Sequence, residues 1–582
     1  MKGVLMKTLK RNKYNIILSV IILSALLLYT YLFFIQKKGY NCDEIYSYGL
    51  ANSFFKPFLE NDESTETSQL FEEWFSGNIF HDYITVQPGE QFSYSSVWYN
   101  QSKDVHPPLY YTILHTICSF FPDVYSPLFA LSINYFTFVL TMILLYKVSQ
   151  EWGSRTFALI VCGFYAFSGG AADTYTFLRM YSLCAFFVVA LFYEIYRYIK
   201  YEKKTTLLIL FFTCLLASLT HYHLILFAFL LTTFTEVYLL IKKRYKTFFS
   251  LGIVMLLSVI TAFFVFPSAL NHLFSSGKDF AEQHMSLYCQ CKYIISLIIW
   301  QFTGIFLGFY HSMFPVYAGT FMIIGVIIMS VAFFLFRNEN LAPRFFKQCK
   351  RLLTKLRNGF FHFCHALAPY QIILFVILIF LYIFFVFSLP LASMKQNSIR
   401  YLFPFYPLLI LNIMYIGKSI LKTVCYHSKK FIIIPVILCI GLCSLNSNLF
   451  ISHTFLYTGF KTEGTKIVDL PANASYILCV SKDYHLSNFS ISLQNKQYIY
   501  AINNQVSKNS PLPASLNTLE EAEQNPIYLL FSVYDNDNIQ RIDCKSTEEW
   551  FQDIKAIPYV EKFVYEGIDI TNGYPVEIYR LK

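Results

Sequence analysis

The recurrence of uncharged apolar runs, each long enough to cross a bilayer, constrains this chain more than any other feature. The first, YNIILSVIILSALLLYTYLFFI, starts at Tyr14 and exceeds the roughly 20 residues that a helix needs to span the hydrocarbon core. No small-residue cleavage site follows it, so it reads as a retained anchor rather than a signal peptide. Similar runs lie near residues 127–146, 155–168, 180–196, 205–219, 224–241, 248–267, 316–336, 371–389, 402–416 and 431–447. With 55% of its 582 residues hydrophobic and 14% charged, the chain carries more apolar surface than a soluble core could hide. Lipid must solvate much of it.

Charge orders the threading. Lys2, Lys7, Lys10, Arg11 and Lys13 precede the first run and place the N-terminus in the cytoplasm. Lys37 and Lys38 at its far end run against that trend, and snorkelling can absorb them. The loops 147–155, 197–204, 242–246, 337–357 and 418–430 hold the other Lys and Arg clusters. All five become cytoplasmic if the short apolar pieces 108–121 and 292–309 lie on the outer interface instead of crossing. The fold class expected is therefore an α-helical polytopic membrane protein with about eleven transmembrane helices. A count of about thirteen is the alternative if both short pieces cross. The net charge of +10 comes from the loop clusters, so nucleic acid is not a partner.

This threading leaves a large first external loop, residues 36–126, with interfacial helices and many acids, among them Asp43, Glu44, Glu60 and Glu72. After about residue 450 the text turns soluble in type. ASYILCVS, NPIYLLFSVYD and YPVEIYRLK read as strands, so residues 450–582 are expected to form a small external α/β domain behind a transmembrane domain over 1–449. Most of the 14 cysteines lie inside apolar runs as small hydrophobes, and no CxxC spacing suits zinc. The balance lies against a bond between Cys479 and Cys544.

Ionisable groups held against a membrane are costly and rarely idle. In GYNCDEIYSYGLANSF, Asp43 and Glu44 open an amphipathic stretch with Ile45, Tyr48 and Leu50 on its apolar side. They could merely complement a helix dipole, or act as a general base beside the bilayer. In KDVHPPLYYTIL, Pro107 and Pro108 suit a helix start that Asp104 or His106 could cap. Alternatively, Asp104 and His106 line the same cavity as Asp43. Arg179 sits at an outer helix end, where headgroups alone could satisfy it. Lys395 and Arg400, external and just ahead of a span, suit an anionic ligand, since Arg grips phosphate in bidentate fashion, and lipid phosphate headgroups could satisfy them equally. His221 and His223, at i and i+2, share no helix face, so a metal pair is a poor reading and a polar cavity lining as good a one.

Asp-Glu after the first span, then DVHPPLYY, R-M-Y at Arg179 and R-Y-L at Arg400, occur in the order found in GT-C membrane glycosyltransferases. The chain resembles the family 39-like branch, with the protein O-mannosyltransferases and lipid A aminoarabinose transferases, over about residues 1–420. The resemblance implies an inverting transfer of a sugar from a polyprenyl-phosphate donor to a cell-envelope acceptor (protein, lipid or polysaccharide) on the outer face of the cell membrane. It implies Asp43 as catalytic acid-base group with Glu44 beside it, Asp104 and His106 as the second catalytic wall, and Arg400, Tyr401, Lys395 and Arg179 near the donor phosphate. Many relatives have a glutamate two residues before the R-M-Y arginine. Here that position is Phe177, with Asp173 the nearest acid that could compensate. No particular cofactor is implied; a divalent metal on Asp43, Glu44 or Asp104 stays open, though three scattered acids are not a site. A flippase of lipid-linked saccharides would show charges at the bilayer midplane, whereas these gather at the outer edge. A receptor or assembly factor built around the C-terminal domain would leave the Asp43, Asp104 and Arg400 set without purpose. A polysaccharide polymerase is a closer enzyme alternative.

Overall fold

The computed structural model describes residues 2–37, 39–59, 73–275, 396–424, 470–480, 483–503, 526–532, 563–569 and 576–581, with a few isolated positions. Five helices are long and apolar enough to cross a membrane: Lys13–Gln36, Pro127–Trp152, Tyr181–Tyr201, Tyr222–Ile241 and Tyr245–Val265. The pair Arg155–Ala166 and Gly169–Thr176, bent by 61°, makes a sixth if counted as one span. The chain is thus a multi-pass membrane protein. The spans expected at 316–336, 371–389 and 431–447, and the interfacial piece 292–309, lie outside the described residues.

Two expected spans differ in form. The helix Lys204–Ser218 has 15 residues, a rise of about 22 Å that falls short of the hydrocarbon core. At 402–416 the backbone is a 3-10 helix over Gln396–Phe405, with Pro404 inside, and becomes α-helical only over Tyr406–Val424. Pro404 has no N–H to donate, which favours the tighter winding.

By Cα proximity the chain forms two compact units. The first comprises Met1–Leu32, Asn134–Thr176 and Met180–Thr454; the second comprises Phe33–Ile133, Phe177–Arg179 and Phe455–Lys582. The first unit is a helical bundle in which some buried polar groups bond across helices. Tyr29 donates to the Ala166 carbonyl at 2.6 Å, and Ser182 donates to the Asn134 side chain at 2.6 Å. A Cβ on Gly170 would lie 2.5 Å from the Tyr406 ring, so a side chain there would drive the two apart.

In the second unit the first loop supplies helices α1 (Cys42–Asn52), α2 (Asn78–Ile84), α3 (Tyr94–Lys103) and α4 (Leu109–Ser119). α4 has 11 residues, too few to span, in keeping with an interfacial helix. The unit also holds a six-stranded mixed sheet in the order β1-β3-β2-β4-β6-β5. Its strands are β1 (Trp74–Phe75), β2 (Ser475–Val480), β3 (Tyr498–Asn503), β4 (Ile527–Ser532), β5 (Phe563–Asp569) and β6 (Val576–Leu581). β2, β4 and β6 are the three strands the sequence suggests. β2 runs parallel to both neighbours and every residue in it is buried, as a central strand requires. Cys479 within it is a free thiol, and Cys544 lies outside the described residues. β1 comes from the first loop and pairs antiparallel with β3, Trp74 opposite Tyr500. The sheet is therefore built from both the first loop and the C-terminal segment.

Gly77 fixes that junction. Its N–H donates to the Lys496 carbonyl at 2.8 Å, and a Cβ there would sit 2.0 Å from the Leu493 carbonyl oxygen. Gly77→Ala must push the backbone aside, an overpacking cost of about 1–3 kcal/mol. Faster hydrogen exchange over residues 74–84 and 493–500, with α4 unchanged, is the expected result.

Candidate active site

The site in the second unit starts from a helix cap. Asn41-Cys42-Asp43-Glu44 folds as a capping box: the Asn41 side chain accepts from the Asp43 N–H at 2.9 Å, and the Glu44 carboxylate accepts from the Asn41 N–H at 2.7 Å. α1 buries Ile45, Tyr48 and Leu50, the apolar side read from the sequence. Two adjacent acids therefore have opposite fates. Glu44 is 1% exposed, and Asp43 keeps its side chain 19% exposed.

Glu44 is engaged on every side. One carboxylate oxygen accepts from Lys37 Nζ at 2.6 Å and from the Leu178 N–H at 2.9 Å. Burial pushes its carboxyl above the usual carboxylate range, and Lys37 and the two N–H donors pull the other way. Lys37 itself does not snorkel. Its side chain is 3% exposed, with Nζ 4.9 Å from the Phe33 ring centre and 5.2 Å from that of Tyr40.

Arg179 is drawn inward instead of towards headgroups, its side chain 4% exposed. Its guanidinium lies 4.0 Å from the Asp43 carboxylate, donates to Ser47 Oγ at 3.3 Å and sits over the Tyr111 ring at 5.7 Å. Ser47 in turn donates to the Asp43 carbonyl at 3.0 Å, so one turn of α1 presents both partners. Tyr110 and Tyr111, from the YY of DVHPPLYY, are fully buried with rings 5.6 Å apart. Burial pushes both phenols above their usual range, and Arg179 opposes it.

Asp104 and His106 meet, but neither caps α4. That position is held by Pro108, with no side-chain bond to the helix. Asp104 is the C-cap of α3 and its carboxylate bonds His106 Nδ1 at 2.8 Å. The X-Pro-Pro backbone explains the correction: Pro107 and Pro108 already fix the helix entry, which frees the side chains before them. Burial raises the Asp104 carboxyl, yet the His106 imidazole, Arg179 and the Val105 N–H together hold it below the usual range.

The first unit gathers a different set. His221 caps the helix Tyr222–Ile241, accepting from the His223 N–H at 3.1 Å, and the two imidazoles lie 4.3 Å apart. His223 is 5.2 Å from the Tyr401 ring, over which the Arg400 guanidinium sits at 5.3 Å. Asp173 is fully buried in this unit. Lys395 lies outside the described residues. Among the described residues no three His, Cys, Asp or Glu side chains come together as a metal would need. With Glu44 committed to Lys37, and Arg179 beside Asp43, the acids do not form the oxygen cage of a divalent ion.

Sequence reasoning missed Lys37, Ser47 and the two tyrosines as parts of the site. For Lys37 the signal was present: a lysine on the outer side of a span, against the charge trend, is costly unless paired.

No protein-family model and no curated protein matches the sequence. Among solved structures, the chain is similar to ArnT from Cupriavidus metallidurans bound to undecaprenyl phosphate, at 10% identity and TM-score 0.46, covering 97% of each chain. It is also similar to the Archaeoglobus fulgidus oligosaccharyltransferase in complex with zinc and sulfate, at 12% identity and TM-score 0.43, covering 88% of this chain and 68% of that one. At this level of similarity the chain's own residues must carry any functional reading.

Proposed function

We propose that this chain is a GT-C-type, inverting membrane glycosyltransferase that moves a sugar from a polyprenyl-phosphate donor to a hydroxyl of a cell-envelope acceptor on the outer face. The observation that carries the reading is the cluster of Asp43, Asp104 and His106, from the two motifs that read as catalytic in the sequence, around Arg179 from a third. Asp43 takes the acceptor's proton, since it keeps exposed surface beside a cation whereas Glu44 is sealed. The hydroxyl oxygen then forms its bond to the anomeric carbon as the bond to the phosphate oxygen breaks. That electron pair leaves on polyprenyl phosphate, and the proton passes from Asp43 to water. Glu44 holds Asp43 in place and touches no substrate. Asp104 and His106 orient the acceptor, and Arg179 balances charge next to the base.

Arg400, Tyr401 and Lys395 are assigned to the donor phosphate, where a guanidinium steadies charge growing on the leaving group. A lipid-linked donor carries that charge at headgroup level, and it is assigned to the outer leaflet because the Lys and Arg clusters of the loops favour a cytoplasmic N-terminus and an external C-terminal segment. The direct test is turnover of a panel of radiolabelled polyprenyl-phosphate sugars by the purified protein in liposomes, reading release of free polyprenyl phosphate. No turnover of any donor in the presence of envelope extract would sink the reading. Arg400→Ala is expected to lower kcat/KM for the donor about 10- to 100-fold, the worth of one charge-assisted contact. Equal kcat/KM for Arg400→Ala and wild type would remove Arg400 from the phosphate site.

A further inference from the structure

We propose that Lys37 is a positioning residue for this reaction: its buried ion pair with Glu44 fixes the strap Phe177–Arg179 and thereby sets the Arg179 guanidinium against the Asp43 carboxylate. The inference rests on the reading of Asp43 as the base. One carboxylate, that of Glu44, ties three pieces of chain together. It holds Lys37 beyond the first span at 2.6 Å, the Asn41 N–H at the start of α1 at 2.7 Å, and the Leu178 N–H at 2.9 Å. Leu178 is bonded directly to Arg179, whose own N–H turns back on the Phe177 carbonyl at 2.8 Å. The strap is a tight turn with little slack, so its anchor at Leu178 dictates where the guanidinium starts.

A capping box does not need a lysine, because a glutamine at the position of Glu44 would close it equally well. A sealed carboxylate does need a counter-charge to stay ionised, and an ionised acceptor holds the Leu178 N–H more strongly than a neutral one. Lys37 supplies that charge from within, flanked by the Phe33 and Tyr40 rings. The consequence reaches the chemistry through geometry. The Arg179–Asp43 separation of 4.0 Å is at the outer limit of an ion pair, so a small shift of the strap changes it in proportion.

Purified Lys37→Met, Lys37→Arg and Asp43→Asn, each in lipid nanodiscs, test this with a readout that needs no substrate: hydrogen exchange at the Leu178 amide. In Lys37→Met that exchange should quicken about tenfold while β2 and β4 keep their protection. With the donor that wild type turns over, kcat should fall about 10- to 100-fold with the donor KM within about twofold, since misplacement of this order costs that much. Lys37→Arg should restore both. If Lys37→Met does not reach the membrane, Glu44→Gln reads the same amide. Unchanged exchange at Leu178, faster exchange with unchanged kcat, or a uniform rise that includes β2 and β4 would each overturn the proposal. Asp43→Asn leaves Leu178 protected; if it also keeps turnover, the reading of Asp43 falls, and that failure is distinct from one at Lys37.

Discussion

Asp43→Asn is expected to abolish the proposed sugar transfer to background, a loss of about 10³-fold or more, and to leave the fold intact. The size follows from the role: a positioned general base contributes on the order of 10²–10⁴-fold. The substitution is conservative in every other respect. Asn41 caps α1 through the backbone N–H of residue 43, which asparagine keeps, and the Asp43 carbonyl still receives Ser47. Arg179 loses one anion at 4.0 Å but retains Ser47 and the Tyr111 face. Because the lost ion pair is long and partly solvated, the change in stability should stay within about 1 kcal/mol. Turnover at equal protein level, with thermal unfolding as control, is the measurement. Turnover within threefold of wild type would remove Asp43 from the chemistry.

The same two residues show what the sequence discloses and what it withholds. Asp43 and Glu44 are legible as a pair because they follow an apolar run, and Ile45, Tyr48 and Leu50 give the helix face that orients them. Which of the two meets solvent is not legible. It depends on Lys37 folding back onto Glu44, a contact made across a turn that has no periodicity. The spans are legible for the same reason as the helix face: 3.6-residue geometry and bilayer thickness act locally. The 61° break between Arg155–Ala166 and Gly169–Thr176 falls at the end of what the sequence reads as one apolar run, and the Tyr406 ring that lies beside Gly170 comes from a distant stretch of chain that no local pattern gives. In the C-terminal segment, β2, β4 and β6 announce themselves as apolar runs bounded by turns. β1 is two residues long and owes its existence to a partner more than 400 residues away, so no local signal could reveal it. Asp104 was legible as a candidate site residue but not in its geometry. A proline pair tells where a helix begins, and says nothing about which neighbour the preceding carboxylate will choose.

Arg179→Met should be damaging too, though less so than the loss of Asp43, with a different signature in pH. Methionine fills much of the same buried volume, so packing against Tyr111 survives while the charge does not. Asp43 loses its cation and Asp104 loses one of the influences that hold its carboxyl low. The sign follows directly. Burial alone would raise Asp104, and His106 and then Arg179 reverse that, so its ionised form stabilises the fold above the unfolded carboxylate range and is lost as pH falls through the folded value. Without Arg179 the folded value rises towards the unfolded one, so the contribution is smaller and is gone at a higher pH. The acid limb of activity and the acid edge of thermal stability should both move towards neutral. Activity near pH 7 should fall about 100-fold, the scale of one electrostatic stabiliser in a water-poor site. Arg179→Lys restores the charge without the planar fork that spans Asp43 and Ser47, so it should recover the pH profile but only part of the rate. Activity of Arg179→Met against pH, superimposable on wild type, would show that the cation is structural and that the base works without it.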